Sequence, residues 1–236
     1  MRYAVYAGTR NVYEYLIPSI KSLIANSNVD KIFLLIEDDV FPYWIPPCVE
    51  VINVREQKFF SPDGPNFSSA WSYMVLLRAA YCYILPKEVD KVLSLDMDTI
   101  AIRDVSSIWN YDISDYYFAG AKEPDKSEEN LYVNMGVTLH NLKLLRESGM
   151  ADKLIKELNT TKHEFPEQDV FNKLCAGKIF EIDSIFNSSI CTKPTATAFI
   201  RHFAAEPINR WSRSTEYVLF KFAKWEDVLK ERKRRG

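Results

Sequence analysis

Glycine and histidine are scarce in this chain, at seven and three residues of 236. So little glycine excludes collagen-like, Gly-rich and low-complexity architectures. The four cysteines, Cys48, Cys82, Cys175 and Cys191, form no CxxC pair. That argues against a disulfide framework or thiolate zinc site and reads as buried free thiols. No apolar run reaches membrane-spanning length, and the N-terminus enters a strand-like run without the features of a secretory leader. The sequence is therefore read as cytoplasmic, and the sequons at Asn66, Asn159 and Asn187 as chance matches. An excess of one charge is missing as well: the formal net charge is −2. Nucleic acid is not an expected partner.

What the chain does have is apolar bulk, 47% hydrophobic residues, in a length suited to one sizeable α/β domain. Strand-like runs at Ala4–Ala7, Lys31–Ile36, Val49–Val54 and Lys91–Leu95 are separated by helical-period segments such as Tyr13–Ala25 and Ser69–Leu85. This alternation predicts βαβ units and a mostly parallel central sheet flanked by helices. Phe41–Pro47 and Ser61–Pro65 are proline-containing loops. A charged loop, Lys122–Asn130, precedes a strand-like run, Leu131–Leu139. Helices are expected at Asn141–Glu147, Ala151–Leu158 and Glu167–Cys175, with Gly149 and Gly177 as stops, followed by a short strand at Ile179–Ile182.

In such a sheet, ligands bind beyond the carboxyl ends of the strands. Asp96 and Asp98 stand there, spaced i, i+2 in the apolar run Val92–Ile102. On an extended strand they would point to one side, where two carboxylates repel and call for a cation or a proton. A divalent metal meets that need; a solvated strand terminus avoids it. Arg78 lies inside the apolar run Met74–Leu85 and needs an anionic partner.

Three further segments follow in order: Tyr132–Val137, Phe165–Asn172, and Ile200–Phe203 continuing to Trp211. With Leu95–Asp98 ahead of them, the chain resembles glycosyltransferase family 8, which includes bacterial lipopolysaccharide α-glycosyltransferases and glycogenin. The similarity covers residues 1–211 and leaves 212–236 as an aromatic, basic tail. The resemblance implies a single GT-A (Rossmann-like) domain and a nucleotide-sugar donor, usually UDP-linked. It also implies a divalent cation, typically Mn²⁺ with Mg²⁺ as the alternative, and retention of anomeric configuration.

Carried over residue by residue, Asp96, Asp98 and His202 match the metal ligands; outside that context His202 reads as an ordinary strand histidine. Ala7, Thr9 and Asn11 match the nucleoside pocket, with Thr9 where many relatives carry an acidic residue. Arg78 and Met97 join the donor site. Asn134 and Gly136 match residues that contact sugar hydroxyls, and Met135 replaces a usually small neighbour. Glu167 would bind sugar hydroxyls, although it and Asp169 also suit a helix start. Gln168 would lie beneath the anomeric carbon, where a glutamine amide is a very poor nucleophile. Front-face substitution is therefore expected, with Asp169 as the fallback nucleophile. Relatives place a glycine soon after the histidine and a lysine before Pro-Trp. Here Arg210 is the only cation available for the diphosphate, and Glu206 is unfavourable beside it.

The expected activity is transfer of a hexose, from UDP-glucose or UDP-galactose, to a hydroxyl of a glycan or glycolipid. From Lys221 onward, seven Lys/Arg face three Asp/Glu. The tail Tyr217–Arg235 therefore reads either as an amphipathic contact with an anionic membrane or as a helix packed on the domain. Two other functions compete. Leu95–Thr99 fits the D-x-D-x-[TV] strand end of haloacid-dehalogenase-type phosphatases, although it falls late in the chain and no late acidic pair follows. A non-catalytic nucleotide-sugar-binding domain is the other, with self-glycosylation on one of thirteen tyrosines as a variant of the transferase.

Overall fold

The apolar runs at Tyr3–Ala7, Lys31–Ile36 and Lys91–Leu95 become strands buried on both faces, as parallel sheets require, while the edge run Val49–Asn53 stays partly exposed. The computed structural model describes residues 1–69, 71–127 and 130–235. In chain order its first half holds β1 (Tyr3–Ala7), α1 (Tyr13–Ala25), β2 (Lys31–Ile36), β3 (Val49–Asn53), α2 (Tyr81–Ile84), β4 (Lys91–Leu95), β5 (Thr99–Ala101) and β6 (Phe118–Lys122). Then come β7 (Val133–Asn141), α3 (Leu142–Glu147), α4 (Met150–Thr160), α5 (Pro166–Leu174), β8 (Ile179–Ile182), β9 (Ile200–His202), α6 (Ile208–Trp211), α7 (Thr215–Phe222) and α8 (Trp225–Arg235). Gly149 and Gly177 take the left-handed conformation expected of helix stops, with φ of 69° and 78°.

Among the described residues, seven strands form one sheet in the order β3-β2-β1-β4-β7-β6-β8. The pairs β1–β2, β1–β4, β2–β3 and β6–β8 are parallel, while β7 runs against both β4 and β6. The reversal brings the first residues of β7 to the sheet end where β4 finishes, with Leu95 opposite Val137. A separate antiparallel pair, β5–β9, sets Thr99 opposite His202. One core cluster gathers α1 with Trp211, Tyr217, Phe220 and Val228. A second lies on Leu77, Leu154 and Phe171. The tail is thus built into the domain: Lys21 Nζ donates to the Ala223 carbonyl at 2.7 Å, and Arg232 to that of Val29 at 2.7 Å.

The helix expected over Ser69–Leu85 is largely absent. Tyr73–Ala80 winds as 3-10 turns, and only Tyr81–Ile84 is α-helical. Tertiary ties override the helical period here: Tyr73 stacks on Phe67 at 4.7 Å and its hydroxyl reaches Glu37 at 3.3 Å, while Arg78 is drawn to Asp96 and Glu167. The sequons serve the fold. Asn66, 1% exposed, donates to the carbonyls of Leu158 and Thr161, and Asn187 is fully buried. All four cysteines are free, and burial pushes the Cys175 thiol up to about 12.

His140, fully buried on β7, stacks on Phe118 and bonds Thr138 through Nε2 at 2.8 Å. Burial, assisted by the Arg78 charge, lowers its pKa to about 3. The unfolded chain binds this proton below about 6.5 and the native chain does not, so stability is lost as pH falls from about 6.5 toward 3. Denaturant unfolding at pH 7 and pH 5 should therefore show a loss in the wild type that His140→Phe reduces by about 2 kcal/mol, from ~1.4 kcal/mol per pH unit. An equal loss in both proteins would refute the assignment.

Candidate functional site

β4 ends at Leu95, and Asp96, Met97 and Asp98 form the tight turn into β5 rather than part of an extended strand. Thr99 closes that turn, its hydroxyl donating to the Asp96 carbonyl at 2.7 Å. The Asp96 amide donates to the Gly136 carbonyl at 2.8 Å, and the Phe203 amide to that of Asp98 at 3.0 Å. The two carboxylates therefore converge through the turn and its pairings with β7 and β9. His202 Nε2 lies 3.4 Å from Asp98 Oδ1 and 3.9 Å from Asp96 Oδ2.

The imidazole is held from behind. His202 Nδ1 pairs with Asn187 Oδ1 at 2.7 Å, Asn187 Nδ2 donates to Asn134 Oδ1 at 3.0 Å, and Asn134 Nδ2 donates to Glu123 Oε1 at 2.6 Å. Asn187 can only accept with that oxygen, so a proton stays on Nδ1, and Nε2 is the nitrogen left to bind a cation in the neutral ring. Gly136 makes room for the ring, because a Cβ there would meet His202 Cε1 at 2.0 Å. Burial opposes protonation of His202, but Asp98 and Asp96 outweigh it and raise its pKa. Two carboxylates and an oriented imidazole, with ligating atoms within 4.8 Å of one another, are a donor set that fits a divalent cation with open positions.

Arg78 is buried, with Nη1 2.5 Å from Glu167 Oε1, Nη2 on Asp96 Oδ1, and Nε donating to Ser94 Oγ at 3.3 Å. Burial would lower its pKa, yet Asp96 and Glu167 prevail and hold it cationic. For Glu167 burial is the stronger influence and raises the carboxyl against the pull of Arg78.

Around these groups lies a cavity of about 560 Å³ whose wall includes Ala7, Thr9, Asn11, Arg78, Met97, Asn134, Gly136, Glu167 and Gln168 beside Asp96, Asp98 and His202. Two expected residues are not part of that wall. Asp169 accepts from the Tyr132 hydroxyl at 2.6 Å and from the Phe165 amide at 2.9 Å, tying down the start of α5 beside a separate cleft. Arg210, its side chain 78% exposed on α6, lies 3.8 Å from Glu206. Ala204 and Ala205 line the cavity instead. The Glu206 amide donates to the Phe203 carbonyl at 3.0 Å, closing a turn in which Ala205 has φ 62°, a conformation that favours glycine.

Glu123, Asn187, Trp71 and Lys126 were not expected in the site. Glu123 follows β6, whose Phe-Ala-Gly-Ala-Lys sequence carries little strand signal; residues 128 and 129 of its loop lie outside the described residues. Gln168 is fixed by the Met135 amide, which donates to Oε1 at 3.0 Å, and by its own Nε2 donating to Glu123 at 3.3 Å. Replacing Asn187 by leucine should weaken Mn²⁺ binding by at least ~10-fold in calorimetric titration, the usual cost of losing such an orienting partner. Unchanged affinity would show that Asn187 does not orient His202.

The family described as Glycosyl transferase family 8 matches residues 5–200. Glycosyltransferase GlyD of Streptococcus pneumoniae is 26% identical over 206 residues, covering 79% of this chain and 24% of that protein. The chain spans less than half the length of the first curated relatives it matches. Among solved structures, the glycosyltransferase GlyE of S. pneumoniae superposes with a TM-score of 0.74 at 21% identity, over 99% of this chain and 63% of that one. A galactosyltransferase, LgtC, crystallised with donor and acceptor sugar analogues, gives 0.70 at 17% identity, over 97% and 99%. These likenesses carry the GT-A fold, and with the motifs in their expected order the chain belongs to glycosyltransferase family 8.

Proposed function

We propose that the chain is a metal-dependent retaining glycosyltransferase, moving a hexose from UDP-glucose or UDP-galactose to a hydroxyl of a glycan or glycolipid. The observation that carries this reading is the Asp96–Asp98–His202 cluster at one wall of the cavity, with Ala7, Thr9 and Asn11 at the end of β1 on the same cavity. Mn²⁺, or Mg²⁺ in its place, would be held by those three side chains and would neutralise charge on the departing diphosphate.

The remaining chemistry falls to positioning. Ala7, Thr9 and Asn11 receive the nucleoside, while Asn134 and Glu167 reach the sugar hydroxyls. Gln168 is a poor nucleophile and its amide is committed to the protein; Asp169 is outside the cavity wall. Glu123 is occupied by Asn134 and Gln168. These commitments support front-face substitution, in which the acceptor hydroxyl attacks on the side the diphosphate leaves and a phosphate oxygen takes its proton.

A glycolipid acceptor is favoured by the face of α7, where Leu219 is 64% and Phe222 75% exposed beside Lys221 and Lys224. Trp44, 59% exposed, stands edge-on to Trp225 at 5.5 Å. Among the described residues, no helix is long and apolar enough to cross a membrane, so contact would be peripheral.

A panel of UDP- and GDP-sugars with Mn²⁺, scored by nucleotide release, tests the donor. Asp96→Asn and Asp98→Asn should each lower turnover by more than ~100-fold, and full activity in either variant would sink the metal assignment. Vesicle sedimentation tests the membrane contact. Binding to anionic vesicles should fall several-fold in Leu219→Ser/Phe222→Ser and vanish on neutral vesicles; equal binding by both proteins would refute it.

A further inference from the structure

Trp71 remains 43% exposed although it lines the cavity. A large indole in water at a cavity mouth marks a surface that a ligand covers. Its ring packs on Phe165 with centroids 5.4 Å apart. Phe165 carries the Lys126 ammonium 3.6 Å from its own centroid, and that ammonium also lies 5.0 Å from the Tyr132 ring and 3.6 Å from Glu123 Oε2. The Lys126 charge is thus committed to Phe165, Tyr132 and Glu123 and stiffens the wall behind Trp71 instead of recruiting an anion.

Contacts tie this wall to the start of α5. Trp71 belongs to the same segment as Tyr73, whose hydroxyl reaches Glu37, just past β2 and beside the β1 end that carries Ala7. Trp71 itself packs against Phe165, the residue preceding the α5 turn that bears Glu167 and Gln168. A pyranose has one face of C–H groups that packs on an aromatic ring while its hydroxyls stay hydrogen-bonded elsewhere.

We propose that Trp71, backed by Phe165, is the acceptor platform, and that the acceptor presents a neutral pyranoside ring to it. This inference rests on the transferase reading above.

Its test uses methyl glycosides of glucose, galactose and N-acetylglucosamine as acceptors, with Mn²⁺ and UDP-glucose or UDP-galactose. Trp71→Ala should raise the acceptor KM at least ~10-fold while the donor KM changes less than ~2-fold, and Trp71→Phe should recover most of the loss, in line with the energy of an aromatic contact. An unchanged acceptor KM in Trp71→Ala overturns the proposal, and so does a rise in donor KM instead, which would place the nucleobase on Trp71. A wild-type protein that hydrolyses the donor but transfers to none of these pyranosides overturns it while the donor reading stands. One that neither binds nor hydrolyses any UDP-sugar removes the transferase reading itself. Wild-type protein labelled with 5-fluorotryptophan adds a measurement independent of variant folding. The Trp71 resonance, identified by its absence from Trp71→Phe, should shift with the methyl glycoside that serves as acceptor; a resonance that does not move refutes the platform.

Discussion

A guanidinium at 4% exposure has to be answered by charge, and Arg78 is answered twice. One arm meets Asp96 at the end of β4, the other Glu167 in the first turn of α5, and Nε rests on Ser94. Removing one partner of such a buried group leaves an uncompensated charge, a loss on the order of 3–5 kcal/mol. The 3-10 segment, the central strand and α5 are therefore locked in one arrangement, and that arrangement is the cavity. Asp96 divides its oxygens: Oδ1 serves Arg78 while Oδ2 faces His202. One carboxylate thus belongs both to the internal ion pair and to the candidate metal cluster.

The direction of β7 matters as much. In a uniformly parallel sheet its first residues would lie at the far end from the site. Reversed between β4 and β6, it delivers Asn134 and Gly136 to the turn that holds Asp96 and Asp98. The short β5–β9 pair then brings His202, 104 residues beyond Asp98 in the chain, to face them.

Much of this was legible in the sequence wherever a signal is local. The bounds of α1, β2 and β4 follow from apolar runs and helical spacing, and the ordered motifs place twelve expected residues on one cavity wall. What escaped depends on distant partners. Glu123 and Asn187 acquire their meaning from Asn134 and His202, which no local pattern connects to them. Asn187 had even offered a misleading signal as part of a sequon. Arg210 illustrates the converse: a cation near the expected sequence position, carried into solvent by the short helix α6.

The turn after His202 holds Ala205 in the left-handed conformation that glycine adopts freely. Holding a Cβ there costs about 1 kcal/mol relative to an unstrained conformation. Ala204 and Ala205 form part of the cavity wall, so that energy is stored in the boundary of the site itself. One alanine thus shapes the wall beside His202 at the cost of strain confined to a single turn.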